Sequence, residues 1–194
     1  MRVKICGITR PEDAVFAEQQ GADAIGVVLF SASKRNVRLE RAKEIFGSVG
    51  PFTTTVAVTH TDSQEELDEI FSLNPSAVQI FHPFTFAKKP AARIIRAVGR
   101  GEPLPEDCDA VIVDDSHGGG RQCDLDYAQA MVRRSTLPVI LAGGLSPENV
   151  GDAIRKVRPY AVDVATGVEL SPGIKDHEKI TAFIAACRSV EKHG

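Results

Sequence analysis

The chain has 194 residues, enough for one sizeable hydrophobic core, with 43% apolar and 25% charged residues and a formal net charge of -3. This is the balance of an ordinary globular domain; it excludes a disordered or polyelectrolyte chain, and the scattered Lys and Arg leave no footprint for nucleic acid. No apolar run approaches the roughly 20 residues that cross a bilayer, so no membrane role is expected.

The amino terminus, Met1-Arg2-Val3-Lys4-Ile5-Cys6, enters a strand pattern at once, with no room for the apolar stretch and cleavage site of a signal peptide. A cytoplasmic location is expected. The four cysteines, Cys6, Cys108, Cys123 and Cys187, have neither CxxC spacing nor the density of a disulfide framework, so reduced thiols are expected.

In chain order, a first strand falls at 3–6, and Thr9-Arg10-Pro11-Glu12 has the spacing of a capping box ahead of a helix at 11–20. Strands follow at 24–29 and 54–59, and Ser63-Gln64-Glu65-Glu66 reads as a second capping box before a helix at 64–72. Strands four and five are expected at 77–81 and 93–98. The segments after them, 82–92 with Pro83 and Pro90 and 99–109 with Gly99, Gly101, Pro103 and Pro105, cannot hold regular helices. Strand six spans 110–114 and strand seven 138–142; Ser146-Pro147 then caps and opens a helix at 147–157 whose Val150, Ala153, Ile154 and Val157 make an apolar stripe. Strand eight spans 161–165, and Ile180, Phe183, Ile184 and Cys187 repeat the stripe in a last helix.

Eight Val- and Ile-rich runs alternating with amphipathic stretches predict an α/β fold, a (β/α)8 TIM barrel forming a single domain over 1–194. The length is near the lower limit of about 200 residues for that architecture, which agrees with helices shortened or missing after strands four and five. The short basic run Lys88-Lys89 lacks interleaved aromatics and reads as a solvated surface.

Functional groups of such barrels sit where strands end, at the carboxyl side. Strand one ends in Cys6 and Gly7, placing a thiol at the mouth as a base or nucleophile, or else as a small buried hydrophobe. Strand six ends in Asp114 and Asp115, either an acid or a turn and cap. A base and an acid acting on one substrate describe an isomerase. Gly143-Gly144 after strand seven and Thr166-Gly167 after strand eight lie in the loops that commonly hold phosphate in these barrels. Arg35, after strand two, has the fork that pairs with a carboxylate. His60, His82 and His117 fall near strand ends, but without paired HxH or HxxxH spacing they argue only weakly for a metal.

These residues resemble the phosphoribosylanthranilate isomerase family of tryptophan biosynthesis. The matching pieces are Lys4-Ile5-Cys6-Gly7-Ile8-Thr9, Gly21-Ala22-Asp23-Ala24, Ser33-Lys34-Arg35, Ala142-Gly143-Gly144-Leu145 with Pro147-Glu148-Asn149-Val150, and Val162-Asp163-Val164 through Gly167-Val168-Glu169 to Pro172-Gly173 and Lys175-Asp176. The resemblance implies an Amadori rearrangement of N-(5-phosphoribosyl)anthranilate, an aminoaldose, to the aminoketose, with no cofactor and no metal. It makes Cys6 the general base, Asp114 the general acid and Arg35 the partner of the anthranilate carboxylate. It places Gly143, Gly144 and Gly167 at the phosphate, Asp163 near the ribose, and Gln79 among the substrate-binding residues.

The chain departs from the family pattern in three places. After strand four it reads Gln79-Ile80-Phe81-His82-Pro83 where the family has Gln-Leu-His-Gly. After strand six it reads His117-Gly118-Gly119-Gly120-Arg121-Gln122-Cys123-Asp124-Leu125, without the family's aromatics. In strand eight, Ala165-Thr166 replaces two serines. Two rival readings accompany the isomerase: a paralogue acting on another phosphorylated aminosugar, and a non-catalytic barrel serving as a binding module. The trimmed helices also predict a homo-oligomer, because they expose barrel surface.

Overall fold

The computed structural model describes residues 1–114 and 124–190. Asp115, His117, the glycines at 118–120 and Cys123 lie outside the described residues.

Eight strands form a closed parallel barrel in sequence order: β1 (Arg2–Ile5), β2 (Ala24–Leu29), β3 (Thr54–Thr59), β4 (Ala77–Ile80), β5 (Arg93–Val98), β6 (Ala110–Val113), β7 (Val139–Leu141) and β8 (Ala161–Val164). The barrel closes where β8 pairs with β1, in the register Val3 with Val162, Lys4 with Asp163 and Ile5 with Val164. The predicted strands stand, several of them shorter by a residue at the carboxyl end. Cys6, Phe81, Asp114, Ala142 and Ala165 each sit one position beyond a strand, where the chain leaves for a loop.

Both faces of these strands are covered, which is why they read as unbroken apolar runs. The pleat sends alternate residues inward. Val28, Val56, Val58, Ile95, Ala97, Ile112, Ile140 and Ala161 fill the interior, while Val3, Ile5, Val27, Val78, Val111, Leu141 and Val162 face the surrounding layer.

That layer holds α1 (Pro11–Gln19), α2 (Leu39–Gly47), α3 (Gln64–Ser72), α4 (Leu125–Arg134), α5 (Val150–Val157) and α6 (His177–Ser189). The expected stripes are the buried sides of α5 and α6. No helix occurs in 81–92 or 99–109. In the first gap Phe84 is buried, Phe86 packs against the core, and Phe86 meets Phe71 of α3 edge-on at 6.1 Å. Rings thus cover part of the barrel where a helix is missing. No helix among the described residues is long and apolar enough to cross a membrane.

Two of the three predicted caps differ. Thr9 does not cap α1: Pro11 takes the first helical position, so the N-cap falls on Arg10, whose guanidinium instead grips Asp13 at 2.9 and 3.0 Å. The Thr9 hydroxyl donates to the Gly173 carbonyl. Ser146 does not open α5, which begins at Val150; Asn149 spends its carboxamide holding the preceding loop closed, accepting from Ser146 N at 2.8 Å and donating to Gly144 O at 2.9 Å. The Ser63 cap forms, its hydroxyl accepting from Glu66 N, while the Glu66 carboxylate accepts from Thr61 rather than completing the reciprocal box. Beyond β8 the sequence did not announce a short 3-10 turn at Thr166–Val168 and an antiparallel pair, β9 (Glu169–Ser171) with β10 (Ile174–Lys175).

Candidate active site

Strand alternation builds the site. Lys4 and Cys6, Gln79 and Phe81, Ile112 and Asp114, Asp163 and Ala165 are pairs two apart, so residues at the strand ends share the inward parity of the core below them. A cavity of about 540 Å3 opens at these ends and is lined by Cys6, Arg35, Gln79, Asp114, Gly143, Gly144, Asp163 and Gly167 together. All eight residues expected to bind or act from the sequence therefore meet at one mouth, drawn from positions 6 to 167.

Cys6 is buried and its amide is fixed by Val164 O at 2.8 Å. Burial pushes its thiol above the ordinary range, while the charge of Lys4 opposes that rise. Asp114, 9% exposed, enters the same cavity from β6. Gln79 accepts a hydrogen bond from Lys4 Nζ at 3.1 Å, and Asp163 accepts another at 2.9 Å.

Arg35 lies across the end of β1. Gly7, in the left-handed region at φ 72, makes that possible, since a Cβ there would collide with Arg35 Cδ. The guanidinium donates through Nε and Nη2 to the two carboxylate oxygens of Glu169, at 2.8 and 2.7 Å, and through Nη2 to Thr166 Oγ1 at 3.0 Å. Glu169 in turn accepts from Lys175 Nζ at 2.9 Å and Gly173 N at 3.1 Å. Burial works to raise the Glu169 carboxyl, but Arg35 and Lys175 outweigh it and hold the group below the usual range. Thr166, the hydroxyl retained where the resemblance expects two serines, thus orients the arginine.

Gly143 and Gly144 line the cavity and turn the chain after β7 with φ of 92 and 61, left-handed backbone of the kind that forms anion-binding concavities. Gly167 packs on the Leu145 carbonyl so closely that any side chain would strike it, which presses the loops after β7 and β8 together. Two small-residue turns in contact are a fitting cradle for an anion.

His60 stacks on Phe81 with centroids 3.9 Å apart and interacts through Nδ1 with Ser31 Oγ at 3.1 Å. Both rings line the cavity, so the altered residue after β4 forms a flat wall there. His82 is exposed outside it. No group of three or more metal-ligating side chains occurs among the described residues.

Sequence reasoning assigned no role to Lys4, Glu169 or Lys175, all buried. Lys4 had a signal: a lysine amid an apolar run, two residues before Cys6, must point into the barrel. Glu169 and Lys175 had none, because their partners lie on other elements.

A parallel barrel that gathers a thiol, a carboxyl group, an arginine and two anion-fitting turns in one cavity defines a (β/α)8-barrel enzyme suited to acid–base work on a small anionic molecule. The family model described as N-(5'-phosphoribosyl)anthranilate (PRA) isomerase matches residues 3–186, and the chain belongs to this family of isomerases. An N-(5'-phosphoribosyl)anthranilate isomerase of Methanoregula boonei is 58% identical over 195 residues, covering all of both chains. The crystal structure of the phosphoribosyl anthranilate isomerase of Thermus thermophilus superposes with a TM-score of 0.85 at 34% identity, over 98% of this chain and 100% of that one. A phosphoribosyl anthranilate isomerase in complex with reduced 1-(o-carboxyphenylamino)-1-deoxyribulose 5-phosphate superposes with a TM-score of 0.82 at 36% identity, over 97% of this chain and 99% of that one.

Proposed function

We propose that the protein carries out the Amadori rearrangement of N-(5-phosphoribosyl)anthranilate in tryptophan biosynthesis, with Asp114 as general acid and Cys6 as general base. Asp114 gives a proton to the furanose ring oxygen, and the ring C–O bond breaks as nitrogen forms the imine. The Cys6 thiolate then removes the proton from the adjacent carbon, leaving an enolamine that tautomerises to the aminoketose. Proton and bond changes balance within one substrate, so no redox partner enters. Gly143, Gly144 and Gly167 hold the phosphate, Arg35 the carboxylate, and Asp163 and Gln79 the floor beneath the ribose portion.

The observation that carries this reading is the shared inward parity of Cys6 and Asp114 at the ends of two non-adjacent strands, which puts both in one cavity beside the glycine turns. The test follows the decay of anthranilate fluorescence with freshly made substrate. Wild type is expected to turn over, and Cys6→Ser and Asp114→Asn each to lose roughly 100- to 10,000-fold. A folded wild type without turnover would refute the reading.

A second copy of the chain is the expected cover for the face that lacks helices, where Phe71, Phe86, Ala87, Ala91 and Ala92 line a groove. Light scattering tests this, and a monomer at high protein concentration would count against it.

A further inference from the structure

Lys4 and Cys6 stand two residues apart, so the pleat aims both side chains into the barrel, Lys4 one layer deeper. Lys4 does not line the cavity. Its ammonium is buried with Asp163 Oδ1 at 2.9 Å and Gln79 Oε1 at 3.1 Å. On the neighbouring strand Gly26 leaves the space in which both side chains end. A Cβ there would stand 2.8 Å from Cys6 Sγ, 3.1 Å from Lys4 Cε and 3.2 Å from Lys4 Nζ, so sulfur and ammonium border the same small gap.

We propose that Lys4 is a positioning residue, a buried ammonium held by Asp163 and Gln79 that faces the Cys6 sulfur from below and sustains the thiolate form the base requires. The inference rests on the reading of Cys6 as base. Burial is the largest influence on the thiol and raises it; Lys4 is the largest influence opposing burial. Asp163, beside Lys4, acts in the raising direction, and Lys175 from β10 acts weakly in the lowering one. Arg35 also couples to the sulfur by charge, but both Arg35 and Lys175 are committed to Glu169. Asp114 lines the same cavity as Asp163 and acts on it in the raising direction. Lys4 itself is held above the ordinary lysine range by Asp163 and Cys6 despite its burial, so it keeps its proton while the sulfur exchanges one.

The test is a pH titration of thiolate absorbance in the intact protein, with the signal of Cys6→Ser subtracted to remove the other cysteines. Lys4→Met is expected to move the Cys6 midpoint upward by about one unit or more, a tenfold loss of thiolate at a given pH, and the charge-balanced Lys4→Met/Asp163→Asn to move it upward by less, because it also removes a charge that raises the midpoint. The acid limb of kcat/KM is expected to move by the same amount. Should Lys4→Met fail to fold, the double variant carries the test, and Gly26→Ala, which keeps both charges but wedges a methyl group between them, gives an independent upward shift. An unmoved midpoint in folded variants overturns the proposal. The titration needs no substrate: a shifted midpoint in a protein that turns nothing over would keep Lys4 in its role and sink the isomerase reading, and turnover with an unmoved midpoint would do the reverse.

Discussion

Lys4 and Asp163 are register partners across the seam where β8 closes on β1, and their side chains meet as a 2.9 Å ion pair inside the barrel. Removing one member leaves the other charged and buried, which costs about 3 to 5 kcal/mol. Lys4→Met is therefore expected to lose stability on that scale in urea denaturation at neutral pH. Lys4→Met/Asp163→Asn is expected to regain much of it, because no unpaired charge remains. A single variant within about 1 kcal/mol of wild type, the range of exposed pairs, would mean that water reaches the seam.

The Arg35 fork is aimed by Glu169, which does not itself line the cavity. Arg35→Lys keeps the charge but not the two-pronged geometry, and its kcat/KM is expected to fall roughly tenfold to a hundredfold, mainly through KM. Glu169→Gln is expected to raise KM in the same direction, since it frees the guanidinium from the carboxylate that orients it. Steady-state kinetics on both variants separates the cases. An unchanged KM in folded Glu169→Gln would show that Glu169 does not aim the arginine.

Asp109 gathers Lys89 Nζ at 2.9 Å, Arg93 Nη1 at 3.0 Å and Ile94 N at 2.9 Å. Burial works to raise its carboxyl, but these donors outweigh it and hold the group at about 2, against an ordinary value of 3.8. A depressed carboxyl stabilises the fold above its unfolded value, and that contribution disappears as pH falls through the folded one. Wild type is thus expected to exceed Asp109→Asn in stability at pH 5 and above, and the two to converge between about pH 4 and pH 2. Thermal melts across that range check it; a gap independent of pH would assign the effect to packing. Salt is expected to narrow the gap in part, because Lys89 and Arg93 are exposed while the Ile94 amide is not screened.

Gly167 has no room for a methyl group against the Leu145 carbonyl, a backbone atom that cannot swing aside. Gly167→Ala is expected to spread the loops after β7 and β8, cost about 1 to 3 kcal/mol, and weaken binding of inorganic phosphate as a competitive inhibitor. Phosphate inhibition equal to wild type would remove Gly167 from the phosphate cradle.

Much of the barrel was legible because its evidence is local. Eight apolar runs declare eight strands, and Pro83, Pro90, Pro103 and Pro105 declare the two gaps in the helical layer. The caps expected at Thr9 and Ser146 do not form, for a local reason too. Spacing alone does not reveal that Pro11 shifts the cap to Arg10, or that Asn149 is already engaged by Gly144 and Ser146. The hairpin after β8 was invisible because its strands are two and three residues long, too short for a period to register.

By itself the sequence determined which side chains face inward, since a period of two fixes the face of every residue on a strand once one is known. Cys6, Gln79, Asp114 and Asp163 follow from that rule. Which charges meet inside was decided only by the tertiary structure. Arg35 finds Glu169 at a separation of 134 residues, and Lys4 finds Asp163 at 159. The first pairing depends on the turn after β8 and the second on the register with which the barrel closes. Neither leaves a trace in local spacing, because a buried ammonium or guanidinium is tolerated only where distant strands deliver its carboxylate.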